Sequence, residues 1–301
     1  MSKNKNKKNN KLDTENALAK LMQEIDSQGF ENIDQVNEFM KKMQGKSLDN
    51  LLESTTDKGR SQELVIQAHD ETPDKGKKLI EQALALDPDN ADAYNYLATL
   101  ETDVDKSLAM YRQAVEAGGR ALGEEFIKEN KGYFWGLIET RPYMRAKAGV
   151  ADCLYAKNRI NAAVDVYREM IELNPNDNQG VRYLLSTILL SKKDLSDYES
   201  FIKKYEGEDS AVWHYNNAMY HYKKMGKSAK SDKELEKAYK FNKHVMEFML
   251  GLKELPEDMP QYIGRGDENE AAAYILDAIH TWGKTDGALD WMHEFLMKRN
   301  K

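Results

Sequence analysis

Apolar residues along the chain fall mostly three and four apart, the spacing of one helix face after another, with polar or charged residues between them. Residues 12–29 carry such a stripe in Leu12, Ala17, Leu18, Leu21, Met22 and Ile25, ending at Gly29. A second helix is expected over 32–43, with Ile33, Val36, Phe39 and Met40 inward and Gly45 as its stop. Leu48, Leu51 and Leu52 add a short turn. The polar stretch STTDKGR, residues 54–60, reads as a linker, so an N-terminal helical pair over 12–55 is set apart from the main array. With six prolines and no alternating Val/Ile/Thr pattern, the chain is predicted to be all-α.

From Ser61 the helical stripes recur as pairs. Gly76, Ile80, Ala83 and Pro88 form a series: a small residue, a large apolar one four later, a small one three later, and a helix stop five beyond. Ala163, Tyr167, Met170 and Pro175 repeat that spacing, and so do Ser231, Leu235, Ala238 and Lys243, with Lys in place of Pro. The last two sets lie 68 residues apart, which leaves room for one weaker pair between them, over 183–190 and 195–205. Another pair fits 91–118. The small residues permit close helix crossing, and Pro after Asp or Asn stops the second helix. About five helix pairs are therefore expected over 61–244.

The array is interrupted once, over 118–144. Gly118, Gly119 and Gly123 predict a helix break after Val115. An extra helix is expected over 124–140, burying Tyr133, Phe134 and Trp135, with Thr140 capping the next helix and Pro142 in its first turn. Beyond 244 come a short helix over 245–252 and a Pro/Gly-rich loop. Next are a helix over 268–282, with Asp267 at its cap and Gly283 as its stop, and a final helix over 286–297. The segment 245–301 is read as a cap on the last apolar face of the array.

Charge and candidate chemistry narrow the function. A net charge of −7 argues against general affinity for nucleic acid or an anionic membrane surface. Residues 1–11 hold five lysines and no acid and are expected to be a disordered tail. Neither a secretory leader nor a membrane span is expected, which points to the cytoplasm. Cys153, the single cysteine, is expected to be buried as a small hydrophobe. No phosphate-cradling loop, zinc-protease motif or nucleophile elbow is present, so no enzyme, cofactor or metal is expected. His214 and His221 share a helix face but lack a third ligand, and Arg-Gly-Asp at 265–267 reads as a turn.

The repeat spacing resembles the tetratricopeptide-repeat superfamily. The blocks GYFWGLIETRPYMRA (132–146), NPNDNQGVRYLL (174–185), ALALDPDNADAY (83–94) and YIGRGDENEAAAYILDAI (262–279) are similar to a bacterial group related to the suppressor-of-tumorigenicity-seven proteins. The resemblance covers about residues 61–290. It implies a tetratricopeptide-like α-α superhelix, a right-handed solenoid, and brings no catalytic residue with it. It also implies that the first helix of each pair lines a concave groove. The groove positions are then Asn95, Arg145, Asp152, Tyr155, Gln179, Arg182, Trp213, Asn216 and Tyr220. Amides, guanidiniums and rings of this kind suit an extended peptide or a protein partner. The carboxylate clamp of some relatives is not matched, because Gly149 has no side chain to offer where Asn is required.

Two other readings of these residues remain open. Arg141, Arg145 and Arg182 can instead form ion pairs with Glu139, Asp152 or Asp177, while Asn174, Asn176, Asn178 and Gln179 cap helices. The N-terminal pair can also act as an effector, phosphatase-like or enzyme-accessory, with Gln23, Gln28 and Gln35 as its only candidate residues.

Overall fold

The computed structural model describes residues 10–27, 29–30, 32–43, 56–258 and 262–299, and every regular element among them is helical. The chain divides into two compact units, Met1–Asn178 and Gln179–Lys301. That division falls inside the stretch the repeat spacing treats as one array.

The first unit begins with α1 (Asn10–Ser27) and α2 (Ile33–Met43). Three antiparallel pairs come next: α3 (Asp57–Asp70) with α4 (Pro73–Leu86), α5 (Ala91–Leu100) with α6 (Val104–Leu122), and α8 (Arg141–Ala156) with α9 (Ile160–Leu173). A short α7 (Glu124–Glu129) lies between the second and third pairs. The first helices of the pairs meet one another, α3 against α5 and α5 against α8, while α1 packs on α3. Local chemistry sets several starts. Thr56, Asn90 and Asp103 each accept hydrogen bonds from the first-turn amides of α3, α5 and α6, and Pro73 and Pro142 sit in first turns.

The spacing residues behave as close-crossing positions. Gly76, Ile80 and Ala83 are buried, and so are Ala163, Tyr167 and Met170. A Cβ on Gly76 would stand 1.9 Å from the Tyr96 hydroxyl, which donates to the Ala68 carbonyl at 3.1 Å. A Cβ on Gly149 would stand 2.4 Å from the Tyr111 ring. Glycine at each place lets an aromatic ring of a neighbouring helix fill the crossing.

Several expectations need correction. The linker expected over 54–60 already contains the first turn of α3, because the Thr56 cap starts a helix there. Ile33 and Met40, expected inward, are exposed, although Phe39 meets Phe30 with ring centroids 5.5 Å apart. Leu48, Leu51, Leu52 and Gln28 lie outside the described residues. Helix α6 does not break after Val115 but runs through Gly118 and Gly119. Gly118 is kept for contact, since a Cβ there would lie 3.2 Å from Tyr143 Cβ. The turn comes at Gly123, whose φ is +82°.

The helix expected over 124–140 stops at Glu129. Gly132 has φ +102° and donates its N–H to the Leu173 carbonyl at 3.0 Å, which turns the chain into two 3₁₀ turns, Phe134–Gly136 and Ile138–Thr140. Phe134 is buried against Tyr143, Trp135 is half-buried, and Tyr133 is 73% exposed rather than in the core. Thr140 stands at the cap position, yet its hydroxyl donates back to the Phe134 and Leu137 carbonyls instead of accepting from α8.

The second unit contains α10 (Val181–Ser191) with α11 (Ser196–Ile202), then α12 (Ala211–Met225) with α13 (Ala229–Phe241). Ser231, Leu235 and Ala238 are buried in α13, which starts at a Ser228/Ser231 capping box. The chain continues through α14 (His244–Met249), α15 (Glu268–Lys284) and α16 (Ala288–Arg299). Asp267 caps α15 as expected, but the helix runs past Gly283. Helix α15 packs on α14 and also across α10 and α12. Leu276 and Ile279, expected to face the core, are on its exposed side. Among the described residues, no helix is long and apolar enough to cross a membrane.

Candidate functional site

In the first unit two of the expected groove residues, Asn95 and Arg145, gather around one carboxylate. Asp92 lies in the first turn of α5, placed there by the Asn90 cap, and is almost wholly buried. Arg145, one turn into α8, grips it with both edges of its fork: Nε to Oδ1 at 3.0 Å and Nη2 to Oδ2 at 2.8 Å. Gln62 of α3 donates to Oδ2 at 3.1 Å, and Asn95 donates to Oδ1 at 3.2 Å and to the Pro142 carbonyl at 3.0 Å. Asn95 is 8% exposed, and its own Oδ1 has no hydrogen-bond partner among the described residues.

A second acid reaches this cluster from far away in sequence. Glu15 of α1 accepts from Arg145 Nη1 at 2.7 Å and from Arg141 Nη1 at 3.2 Å. Arg141 also donates through Nε to the Trp135 carbonyl and lies 5.3 Å over the Trp135 ring. The partners of these arginines are thus Glu15 and Asp92, not Glu139, Asp152 or Asp177. Burial works against charge on Asp92, but the Arg145 guanidinium outweighs it and leaves the Asp92 pKa below its usual 3.8. Burial likewise works against charge on Arg145, and Asp92 with Glu15 raises its pKa instead. Nearby His69 is pushed below its usual 6.5 by burial, so it is neutral at pH 7.

Beside the cluster opens a cleft of about 440 Å³, lined by Glu15 and Asn16 of α1, Lys58 and Gln62 of α3, and Asp92 and Arg145. Asp152 and Tyr155 stand further along α8; Asp152 is exposed and accepts from the Tyr167 hydroxyl. Both are outside the cleft lining.

The remaining expected residues belong to the second unit, where Trp213 borders a hollow and Gln179, Arg182, Asn216 and Tyr220 do not line it. Asn216 of α12 is 1% exposed. It donates to the Ser186 and Thr187 hydroxyls of α10, at 3.0 Å each, and accepts from the Tyr274 hydroxyl of α15 at 3.0 Å. Tyr274 in turn accepts from Trp282 Nε1 at 2.8 Å. This correction has a simple cause: α15 covers the face on which Asn216 was expected to meet a ligand. Arg182 pairs with Glu208 at 3.1 Å and lies 4.3 Å over Tyr183, whose hydroxyl donates to Glu208 at 3.0 Å. Burial, with a smaller contribution from Glu208, pushes the Tyr183 pKa up to about 12.

Trp213 packs edge-on against both Tyr183 and Tyr205, and Tyr220 donates to Glu199 at 2.7 Å. Gln179 has its Oε1 buried with no hydrogen-bond partner among the described residues. A hollow of about 420 Å³ lies beside Trp213, bounded by Glu208, His214 and Lys237.

Other candidates resolve into structure. Arg265 pairs with Asp209 and lies over Phe241, Gly266 takes φ +74°, and Asp267 caps α15, so the Arg-Gly-Asp run builds a helix entry. Cys153 is buried beside Ser107, and burial raises its pKa. His214 pairs with Asp209 and stacks on Phe241, and no cluster of His, Cys, Asp or Glu among the described residues could hold a metal ion. Of the effector glutamines, Gln35 lies exposed on α2, and its backbone N–H donates to Asn32 Oδ1 at 3.1 Å. Glu15, Tyr274 and Trp282 were missed. Only the eight-residue interval between Tyr274 and Trp282 on one face of α15 hinted at a role in the sequence.

The two units define an all-helical protein built of packed helix pairs with an ion-pair cluster beside a cleft. The chain is similar to two vertebrate proteins described as suppressor of tumorigenicity 7 protein-like. The Danio rerio protein is 25% identical over 238 residues, covering 70% of this chain and 39% of that protein. The Gallus gallus protein is 26% identical over 275 residues, covering 81% of this chain and 48% of that protein. The chain therefore spans less than half the length of these relatives. No protein-family profile matches it.

Proposed function

We propose that this protein is a non-catalytic interaction scaffold, a tetratricopeptide-like repeat protein of the cytoplasm that binds a protein or peptide on the face made by α3, α5 and α8. The observation that carries this reading is the cleft at Arg145. Two guanidiniums of one helix, Arg141 and Arg145, meet at Glu15 on the cleft wall, and Arg145, which lines the cleft, also holds a permanent buried partner, Asp92. A fixed cation beside an open cleft selects a ligand with a carboxylate at a defined place. Asn216, buried and saturated, has no hydrogen bond to spare for a ligand, which favours the first unit as the seat. No catalytic role or cofactor is assigned.

Affinity capture from native cytosol with the wild-type chain, repeated with Arg141→Gln, tests the proposal. Among the described residues Arg141 meets Glu15 and the Trp135 carbonyl and ring in this network, so its loss is expected to leave thermal stability nearly unchanged while depleting the captured partners. Identical partners with both proteins would overturn it. The seat of α1 against the same cleft also favours a second reading, in which the repeats sense a peptide and report it through the N-terminal helices. Deleting residues 1–55 separates the two: a scaffold keeps its partners, whereas a sensor keeps them but loses its effect on them.

A further inference from the structure

Helix α1 touches the rest of the first unit in an unusual way for a helix of 18 residues. Leu21 is buried, but Leu18 is 39% exposed and Met22 49% exposed, so the apolar stripe is only partly covered. The polar contacts are the specific ones: Glu15 between Arg141 and Arg145, and Lys20 with Glu63 of α3. The same helix lines one wall of the cleft through Asn16, Ala19 and Met22. In the second unit, by contrast, α15 covers the corresponding face of α10 and α12 with Tyr274, Ile275, Ala278 and Trp282, all buried. One cover is an apolar seal, and the other is held by a carboxylate.

Building on the scaffold reading above, we infer that α1 is a built-in, displaceable occupant of the partner's seat. The partner is then a helical segment of another protein that presents a carboxylate where Glu15 now stands and an apolar side chain where Leu21 stands. The chemistry supports the exchange. Asp92 keeps Arg145 paired when α1 leaves, Arg141 keeps the Trp135 carbonyl and ring and gains water as α1 uncovers it, and an incoming acid meets guanidiniums already held in place. Helix-in-groove docking of an amphipathic segment uses this combination of an apolar anchor and a charged fix. Because α1 is tethered, its effective concentration is on the order of millimolar, and a partner must outcompete it. The free chain is therefore self-restrained.

The test uses full-length protein and, as probe, a fluorescein-labelled peptide of residues 10–27. Wild type, Glu15→Lys and the milder Glu15→Gln are compared by fluorescence anisotropy, and hydrogen exchange over residues 10–27 is measured in parallel. In Glu15→Lys, exchange over α1 is expected to quicken at least about tenfold and the probe to bind at least about tenfold more tightly than to wild type, with Glu15→Gln in between. A probe carrying its own Glu15→Gln change should lose most of that gain. Unchanged protection of α1 in both variants would overturn the inference yet leave the scaffold reading standing, since the captured partners would be unaffected. Release of α1 with no uptake of the probe would count against both. A wild-type chain that is a dimer in light scattering and becomes a monomer as Glu15→Lys would replace the foreign helix with a second copy's α1 and overturn the partner assignment.

Discussion

In the first unit, α1 rests on α3 and the Ile138–Thr140 turn, and its Glu15 reaches the face of α5 and α8 that bears Asp92, Asn95 and Arg145. In the second, the face of α10 and α12 bearing Ser186, Thr187 and Asn216 is overlaid by α15. Each face carries polar side chains, and each takes a polar partner from an element elsewhere in its unit. The manner differs. The second face is neutral, fully buried and sealed by aromatic rings, with Tyr274 and Trp282 completing a hydrogen-bond chain to Asn216. The first is ionic and borders an open cleft. Neutral groups bonded in a dry interior rigidify it, whereas a charge pair near water is weaker and exchangeable. The same helix-pair architecture thus supports a closed core in one place and an ion-pair cluster beside an open cleft in another.

That contrast makes graded predictions. Trp282→Ala should have the largest effect, a loss of about 4 kcal/mol in chemical denaturation, because it opens a large cavity and breaks the bond to Tyr274. A loss under about 1 kcal/mol would mean that α15 is no more firmly seated than α1. Next comes Asp92→Ala, at about 3 kcal/mol, since Arg145 would lose its buried partner. Leu21→Ala should cost about 1 kcal/mol or less in global stability and show chiefly as faster exchange over α1, the helix being only partly covered. Equal losses for Leu21→Ala and Trp282→Ala would erase the distinction between the two covers.

The smallest effect concerns pH. Burial lowers the pKa of His69, His214 and His221 in the folded protein relative to their usual 6.5. The unfolded chain therefore binds protons first as pH falls, and stability is complete above 6.5 and declines below it. Asp92, also lowered from 3.8, adds a further loss only as pH falls below that value. A melting temperature about 2–4 °C lower at about pH 5.5 than at about pH 7.5 is expected from the histidines. A higher one on the acid side would contradict the direction of these shifts.

The repeat-bearing helices were legible because their signals are local. Gly76, Ile80 and Ala83, and the later sets at Ala163 and Ser231, all lie where a close crossing demands small and large residues in turn. The interruption was less so. Gly118 looked like a helix breaker and proved to be a contact point with Tyr143. Gly132, a more telling residue, reversed the chain and split the expected helix into 3₁₀ turns. Arg145 was picked out as a groove residue and does line a cleft, but Asn216, chosen by the same rule, is sealed. Nothing in the rule distinguishes them, because the difference comes from elements outside both repeats.

The sequence by itself determined the all-helical class, the pairing of helices over most of the chain and the small residues at their crossings. Each of these depends on propensity and spacing within a few turns. Tertiary structure alone decided that Glu15 reaches Arg145 across 130 positions and that Tyr274 reaches Asn216 across 58. Such pairings depend on where distant helices come to rest, and a carboxylate or hydroxyl carries no local mark of the partner it will meet.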